Sequence, residues 1–297
     1  MKFTMALPLL VLLFGLEPRA IGQQAKKIDA LRIGTSGGLA INESGAKEEE
    51  ARETLKTFIK DETGFDNEII PQKDWRELAD KLANKELNLG VFQGYEFAWV
   101  REKHPEFRPL AIAVNVHNYR TAYVVTRQDN KAADFAGLEG QSLALPKVSQ
   151  GHLRLFIERQ VQARGKTPET FFSKITAPDN FEDPLDDVVD GAIQAAVIDR
   201  VGLEAYKRRK PGRFNRLKEL AHSQAFPPPV VAYREGALDK ETLQRFQDGL
   251  LNAHRKEKGR TLITFFKLTG FAKAPDDFDP VLADIGKAFP APDNKMR

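Results

Sequence analysis

The sequence predicts an α/β protein of two lobes, joined by two hinge crossings of the chain, with a cleft between the lobes. Three observations predict it. Apolar strand-like runs alternate with helix-period segments along most of the 297 residues. The alternation falls into two sets, one ending near residue 118 and one running from about 120 to 226. After the second set, Phe226-Pro227-Pro228-Pro229 forces extended backbone and leads to one more strand and a helical run, which return the chain to the first set.

Each element has its own local signal. Leu31-Arg32-Ile33-Gly34 reads as the first strand, followed by the loop Thr35-Ser36-Gly37-Gly38. A helix follows, with Glu48-Glu49-Glu50 in its first turn, Leu55, Phe58 and Ile59 on one face, and Gly64 at its end. Glu68 to Ile70 is a strand. Asp74 caps a helix carrying Trp75, Leu78, Ala79 and Leu82. Leu87 to Phe92 is a strand apolar enough for a buried parallel sheet. Gly94 to Glu102 is helix and Pro109 to Val116 strand. The order β-α-β-α-β-α-β implies an open parallel-type sheet covered by helices.

The second set opens with strands at Arg120–Thr126 and Ser142–Leu145. A helix then starts at Ser149 and carries Leu153, Phe156, Ile157 and Val161. Leu185 to Gln194 is helix, Ala195 to Ile198 strand, Gly202 to Arg209 helix and Arg216 to Ala221 strand. Beyond the prolines, Val230 to Tyr233 is a strand. Asp239 caps a helix with Leu243, Phe246 and Leu250, and another helix holds Leu262, Phe265 and Phe266. The Asp- and Pro-rich tail from Ala274 is expected to wrap the surface. The lobes are expected at 28–118 plus 230–297 and at 119–229.

Composition narrows the function classes. Hydrophobic residues are 41% and charged residues 29%, as in globular proteins. There are no cysteines, which excludes disulfides, thiolate nucleophiles and Cys-ligated metal sites. The net charge of +3 is too balanced to argue for nucleic acid. The basic run Lys207-Arg208-Arg209-Lys210 suits a helix C-terminus. Met1-Lys2, the apolar stretch Ala6 to Leu16 and the small residues Ala20 and Gly22 have the layout of a secretory signal over residues 1–22. That stretch is about half of the roughly 20 residues that span a bilayer. The expected product is exported and soluble, or membrane-tethered if the segment is retained. His104, His117, His152, His222 and His254 lack metal-ligand spacing. No Gly-x-Ser-x-Gly or His-Glu-x-x-His occurs. No cofactor, metal or catalytic residue is expected.

The candidate site residues lie at element ends, where an interlobe cleft takes its ligand. The helix start at Ser149-Gln150-Gly151 offers free N–H groups and a positive dipole end to an anion; Ser149 serves equally as a plain N-cap. His152 is a candidate donor, or simply a half-exposed histidine. Trp75 and Tyr95 offer an aromatic wall, or helix-core packing. Gln93 ends a strand and suits a polar ligand group. Asp199 ends another; it is placed either to take a proton from an oxyanion or an amine, or to cap the next helix. Tyr119 and Arg120 stand at the first crossing, where Arg120 either clamps an oxyanion or forms a surface ion pair. The loop Thr35–Gly38 is either a phosphate cradle or a turn.

The order of these pieces resembles the type II periplasmic binding-protein fold. It resembles in particular the phosphate/phosphite/phosphonate-binding subunits of ABC importers, from about Leu31 to Phe289. Leu31-Arg32-Ile33-Gly34 matches the opening strand, Pro71-Gln72-Lys73-Asp74-Trp75 an aromatic-bearing helix start, and Leu89 to Gly94 a strand ending at ligand-facing residues. Tyr119 to Val125 is similar to the crossing strand, Gly137 to Leu145 to the lead into the oxyanion loop, and Gly191 to Asp199 to the second-lobe helix–strand unit. The resemblance implies a small oxyanion bound between the lobes, a membrane permease as partner, a monomer and no chemistry. The chain departs from the family at several points. Where phosphonate binders carry Ser-Thr-Ser-Gly, only Ser149 and Gly151 fit and Gln150 replaces a hydroxyl. Gln93 stands where a tyrosine is common, and Asp179 or Asn180 where a histidine is. Two other readings stay open: a sensor module of the same fold for another small polar solute, and an enzyme on a two-lobed α/β scaffold.

Overall fold

The structure, a computed structural model, describes residues 30–36, 45–146 and 151–292. In chain order the strands are β1 (Ala30–Thr35), β2 (Asp66–Pro71), β3 (Leu89–Phe92), β4 (Phe107–Val114), β5 (Ala122–Arg127), β6 (Ser142–Ala144), β7 (Lys174–Thr176), β8 (Ala195–Asp199), β9 (Leu217–His222), β10 (Val230–Arg234) and β11 (Gly270–Ala272). The helices are α1 (Gly45–Thr63), α2 (Trp75–Ala83), α3 (Gly94–Lys103), α4 (Gly151–Gln162), α5 (Pro168–Phe171), α6 (Glu182–Asp190), α7 (Arg200–Arg209), α8 (Pro211–Phe214), α9 (Lys240–Leu251), α10 (Glu257–Phe265) and α11 (Phe278–Ala288). Among the described residues, no helix is long and apolar enough to cross a membrane. The signal-like segment 1–22 lies outside the described residues.

The strands form two sheets, one per lobe, in the orders β11-β4-β10-β3-β1-β2 and β7-β6-β8-β5-β9. The first takes strands from both ends of the chain and the second from its middle. β1 pairs in parallel with β2 and β3. The expected parallel-type sheet is interrupted, however, because β10 inserts between β3 and β4 and runs antiparallel to both. Element order along the chain cannot reveal that insertion. The composition of β10 fits it: Val230, Val231 and Ala232 are all buried, as a central strand covered on both faces requires. In the second sheet β6 is parallel to β7 and β8, while β5 is antiparallel to β8 and β9.

Local chemistry sets the element ends. Asp74 accepts from Arg76 N at 2.9 Å and Glu77 N at 3.1 Å, fixing the start of α2. Asp239 likewise accepts from Thr242 N at 2.8 Å. The helix expected to reach Gln194 stops at Asp190, because Gly191 adopts φ 81°, a left-handed C-cap. The tail from Ala274 does more than wrap the surface. Phe278, Leu282 and Ile285 bury one stripe of α11, and Phe289 extends it. The indole N–H of Trp99 donates to the carbonyl of Phe289 at 2.6 Å. The aspartates and prolines near its start hide this helical period in the sequence.

The two crossings run side by side as a short antiparallel ribbon. Arg120 N donates to Phe226 O, and Phe226 N to Arg120 O, each at 2.8 Å. Ala122 N donates to the Ser223 hydroxyl at 2.9 Å. Phe226 is fully buried and packs against Phe289 at 4.7 Å and His152 at 5.7 Å between ring centroids. Its apolar cluster includes Phe92, Phe97 and Trp99 from the first lobe and Leu153 and Phe156 from the second. The prolines beside it press on the start of α3. A β-carbon placed on Gly94 would stand 2.0 Å from the Pro227 carbonyl oxygen and 2.5 Å from that of Pro228. Only glycine admits that approach, since backbone cannot swing away as a side chain can.

Two outcomes are expected from this packing. Gly94→Ala should destabilise the protein by about 3 kcal/mol, read as a lower denaturant midpoint with an unchanged slope. Trp99→Phe keeps the aromatic packing and removes one buried hydrogen bond. It should cost about 1 kcal/mol in the same measurement, and an unchanged midpoint would show that the Trp99–Phe289 bond carries no stability.

Candidate ligand-binding site

Four element ends meet where the lobes face each other: the start of α3, the first crossing, the start of α4, and the junction of β8 with α7. Such ends collect unpaired backbone donors and side chains that no sheet can bury, and ligands settle there in open α/β structures.

Asp199 and Arg120 emerge together because of strand register. Asp199 closes β8 opposite Ala122 of β5, and Arg120 stands two residues earlier on the same strand line. Asp199 caps α7, its Oδ1 accepting from Gly202 N at 2.7 Å. Burial raises its pKa, opposed by the Gly202 N–H and by the charge of Arg120. Arg120 is partly accessible to water yet deep within the protein. Its guanidinium makes no hydrogen bond or ion pair among the described residues. Burial lowers its pKa, and the nearby charges of Asp199 and then Tyr95 oppose that shift.

His152, in the first turn of α4, is 3% exposed, and its Nε2 has no partner among the described residues. Burial first, and then the charge of Arg120, hold it well below the usual histidine range, so it is neutral at neutral pH. Tyr95 faces α4 across the lobes. A β-carbon on Gly151 would stand 2.2 Å from the Tyr95 hydroxyl oxygen, so glycine lets the helix start rest on the phenol. Burial raises the Tyr95 pKa, the charge of Glu96 adds to that, and Arg120 opposes it. The phenol therefore stays protonated, a donor.

The aromatic residues cluster around Trp99, which sequence reasoning missed. Trp99 contacts Trp75 at 5.3 Å and Tyr95 at 5.2 Å between ring centroids. Trp75 is 8% exposed, with the Arg76 guanidinium 4.3 Å over its ring. Of the two roles open to Trp75, core packing is the one its surroundings show.

Gln93 is 6% exposed and precedes α3 as its N-cap. Its N–H donates at 2.9 Å to Oε2 of Glu96, which also accepts from the Ser36 hydroxyl at 2.7 Å. Burial raises the Glu96 pKa, and those two hydrogen bonds hold it back. The loop after β1 thus contributes Ser36 to a buried carboxylate, while Gly37 and Gly38 lie outside the described residues. The spacing Gln93-x-x-Glu96 is a capping-box signature that could have located Glu96.

Tyr95, Arg120, Gly151, His152 and Asp199 are therefore brought together, with Gln93 and Trp75 behind them. Ser149 and Gln150 lie outside the described residues. Tyr119 is directed elsewhere: its hydroxyl donates to Asp277 at 2.5 Å, just ahead of α11. Asn180 is exposed. Its side-chain oxygen accepts from Glu182 N and Asp183 N, each at 2.9 Å, and its amide donates to Asp183. No described hydrogen bond joins it to the other candidates, because capping the start of α6 uses its polar atoms.

Residues 38–278 match the family of periplasmic substrate-binding proteins of phosphonate ABC transporters. None of the curated proteins compared with the chain matches it. Among solved structures, a Xanthomonas citri protein, bound to chloride, is 17% identical, with TM-score 0.62 over 88% of this chain and 98% of that one. PhnD1 from Prochlorococcus marinus, in complex with methylphosphonate, is 14% identical, with TM-score 0.57 over 87% and 97%. A binding-protein component of an ABC phosphonate transporter from Pseudomonas aeruginosa is 12% identical, with TM-score 0.54 over 86% and 85%. At these identities the likeness establishes the two-lobed fold, and the family match over most of the sequence establishes membership: the chain belongs to the periplasmic substrate-binding protein family of phosphonate ABC transporters.

Proposed function

We propose that the protein captures a small oxyanion of the phosphonate, phosphite or phosphate type between its lobes and delivers it to a membrane permease. It acts as an exported monomer, without catalysing a reaction. The lobes are residues 28–118 with 230–297, and residues 119–229; residues 1–22 direct export. The observation that carries this reading is the unpaired guanidinium of Arg120. A desolvated cation that only the charge of Asp199 offsets, with no described ion pair, is costly, and an arriving anion lowers that cost. The surrounding groups suit the same guest. The first N–H groups of α4 point from a positive dipole end, Tyr95 is a donor, and neutral His152 has a ring nitrogen with no partner among the described residues. Ser149 and Gln150, next to Gly151 in sequence, extend this set.

Isothermal titration against phosphate, phosphite and methylphosphonate tests the reading. At least one should bind, and Arg120→Met should weaken it about 100-fold to 1,000-fold, as loss of a buried charge partner does. Absence of binding across all three sinks the proposal.

Closure has its own test. Gly151→Ala drives a methyl group into the Tyr95 hydroxyl and should hold the lobes apart, seen as a larger radius of gyration in X-ray scattering with ligand present. Adding Tyr95→Phe clears the hydroxyl and should restore the compact value. If Gly151→Ala leaves the ligand-bound radius unchanged, the Tyr95–Gly151 contact does not limit closure.

A further inference from the structure

The cleft holds one carboxylate as well as one guanidinium, and their arrangement bears on which oxyanions can enter. Asp199 uses Oδ1 for the Gly202 N–H. Its other oxygen makes no hydrogen bond among the described residues. Taken alone, a buried carboxylate with a spare oxygen at a cleft wall is a receptor for an ammonium group. Here it does not stand alone. Strand register brings Arg120 to the same end of the sheet, and the two charges act on each other. The remaining groups facing them are Tyr95 and His152, with Glu96 shielded behind Ser36 and Gln93. Arg200, next to Asp199 on α7, is exposed and engaged with Glu204 at 2.8 Å.

We propose that Arg120 sets the charge class of the ligand: the cleft takes oxyanions without a cationic substituent and rejects those that carry an ammonium group. The inference rests on the functional reading above. The reason is electrostatic occupancy. The positive charge of Arg120 already acts on Asp199, although no described ion pair joins them. An ammonium group brought to Asp199 would meet the guanidinium as a like charge at low dielectric, and such juxtapositions discriminate strongly between partners. The backbone of Arg120 is pinned to Phe226 through both of its hydrogen bonds, so the crossing offers no easy withdrawal. Arg120 is then both an anchor for the anion and a barrier to the zwitterion.

The test is a pair of titrations at pH 7, with methylphosphonate and aminomethylphosphonate, which differ by one amino group. The wild-type protein should bind methylphosphonate about 100-fold or more tightly than the amino compound. Arg120→Lys keeps a positive charge and should keep the preference. Arg120→Met unmasks Asp199 and should shrink or invert the preference by at least about tenfold, equal to 1.4 kcal/mol. Adding Asp199→Asn retains an N-cap acceptor for Gly202 and should abolish that gain for the amino compound. Equal binding of the two compounds by the wild type overturns the inference and leaves the functional reading standing. So does a preference that Arg120→Met leaves unchanged. Failure of methylphosphonate, phosphite and phosphate alike to bind overturns the functional reading, and this inference with it.

Discussion

The Arg120 guanidinium, deep in the protein and without a hydrogen bond or ion pair among the described residues, is the constraint around which this site is arranged. Arg120 is carried by the crossing between the lobes, and its backbone is locked to Phe226 in the other crossing. The charge therefore sits where the chain passes from one lobe to the other. Its influence reaches Asp199 and His152 in the second lobe and Tyr95 in the first. An anion of the proposed kind would draw on donors from both sides, and its differential affinity for the closed state would favour closure.

The ribbon can play this part because the surrounding packing leaves it few alternatives. Three prolines remove backbone donors and hold the second crossing extended. Gly94 lets that extended segment lie against the start of α3. Phe226 then reaches into the apolar cluster shared by the lobes, meeting Phe289 from the C-terminal end of the chain. Trp99 binds the Phe289 carbonyl and forms the middle of the aromatic wall. The wall beside the site and the hinge beneath it are therefore stiffened by the same few contacts, a supporting shell that holds the polar groups in place.

Much of the fold was legible because periodicity and punctuation are local. The caps Asp74 and Asp239 and the proline crossing at 227–229 each read directly. The insertion of β10 did not, because strand adjacency is set by which faces need covering and not by order along the chain. Nor did α11, whose stripe of Phe278, Leu282 and Ile285 begins inside an Asp- and Pro-rich segment. In the site, Asp199, Arg120, Gly151 and His152 were found as element ends. His152, for which half-exposure was one reading, is instead buried. Asp199 caps α7, and its second oxygen makes no hydrogen bond among the described residues. Trp75 is packed in the core, and Asn180 caps α6. Glu96 is harder to read, because a glutamate in a first helical turn suits a solvated dipole partner, whereas here it is buried and accepts from Ser36 of the loop after β1.

Glu96 also explains why Gln93 is not simply a replaced ligand residue. Its backbone is tied to a carboxylate that Ser36 shares, so strand β1, strand β3 and helix α3 are joined at one buried oxygen. That oxygen places a negative charge behind the phenol of Tyr95, where it helps keep the hydroxyl protonated. The positive charge of Arg120 acts on the same phenol in the opposite sense. Tyr95 is thus a neutral donor under the charges of Glu96, Arg120 and Glu158, and His152 is a neutral ring. Among the described residues the proposed cleft offers one guanidinium, the Asp199 carboxylate and several dipoles. An oxyanion held that way is selected by where its charges lie, because each added charge in the guest has an assigned neighbour that either accepts or repels it.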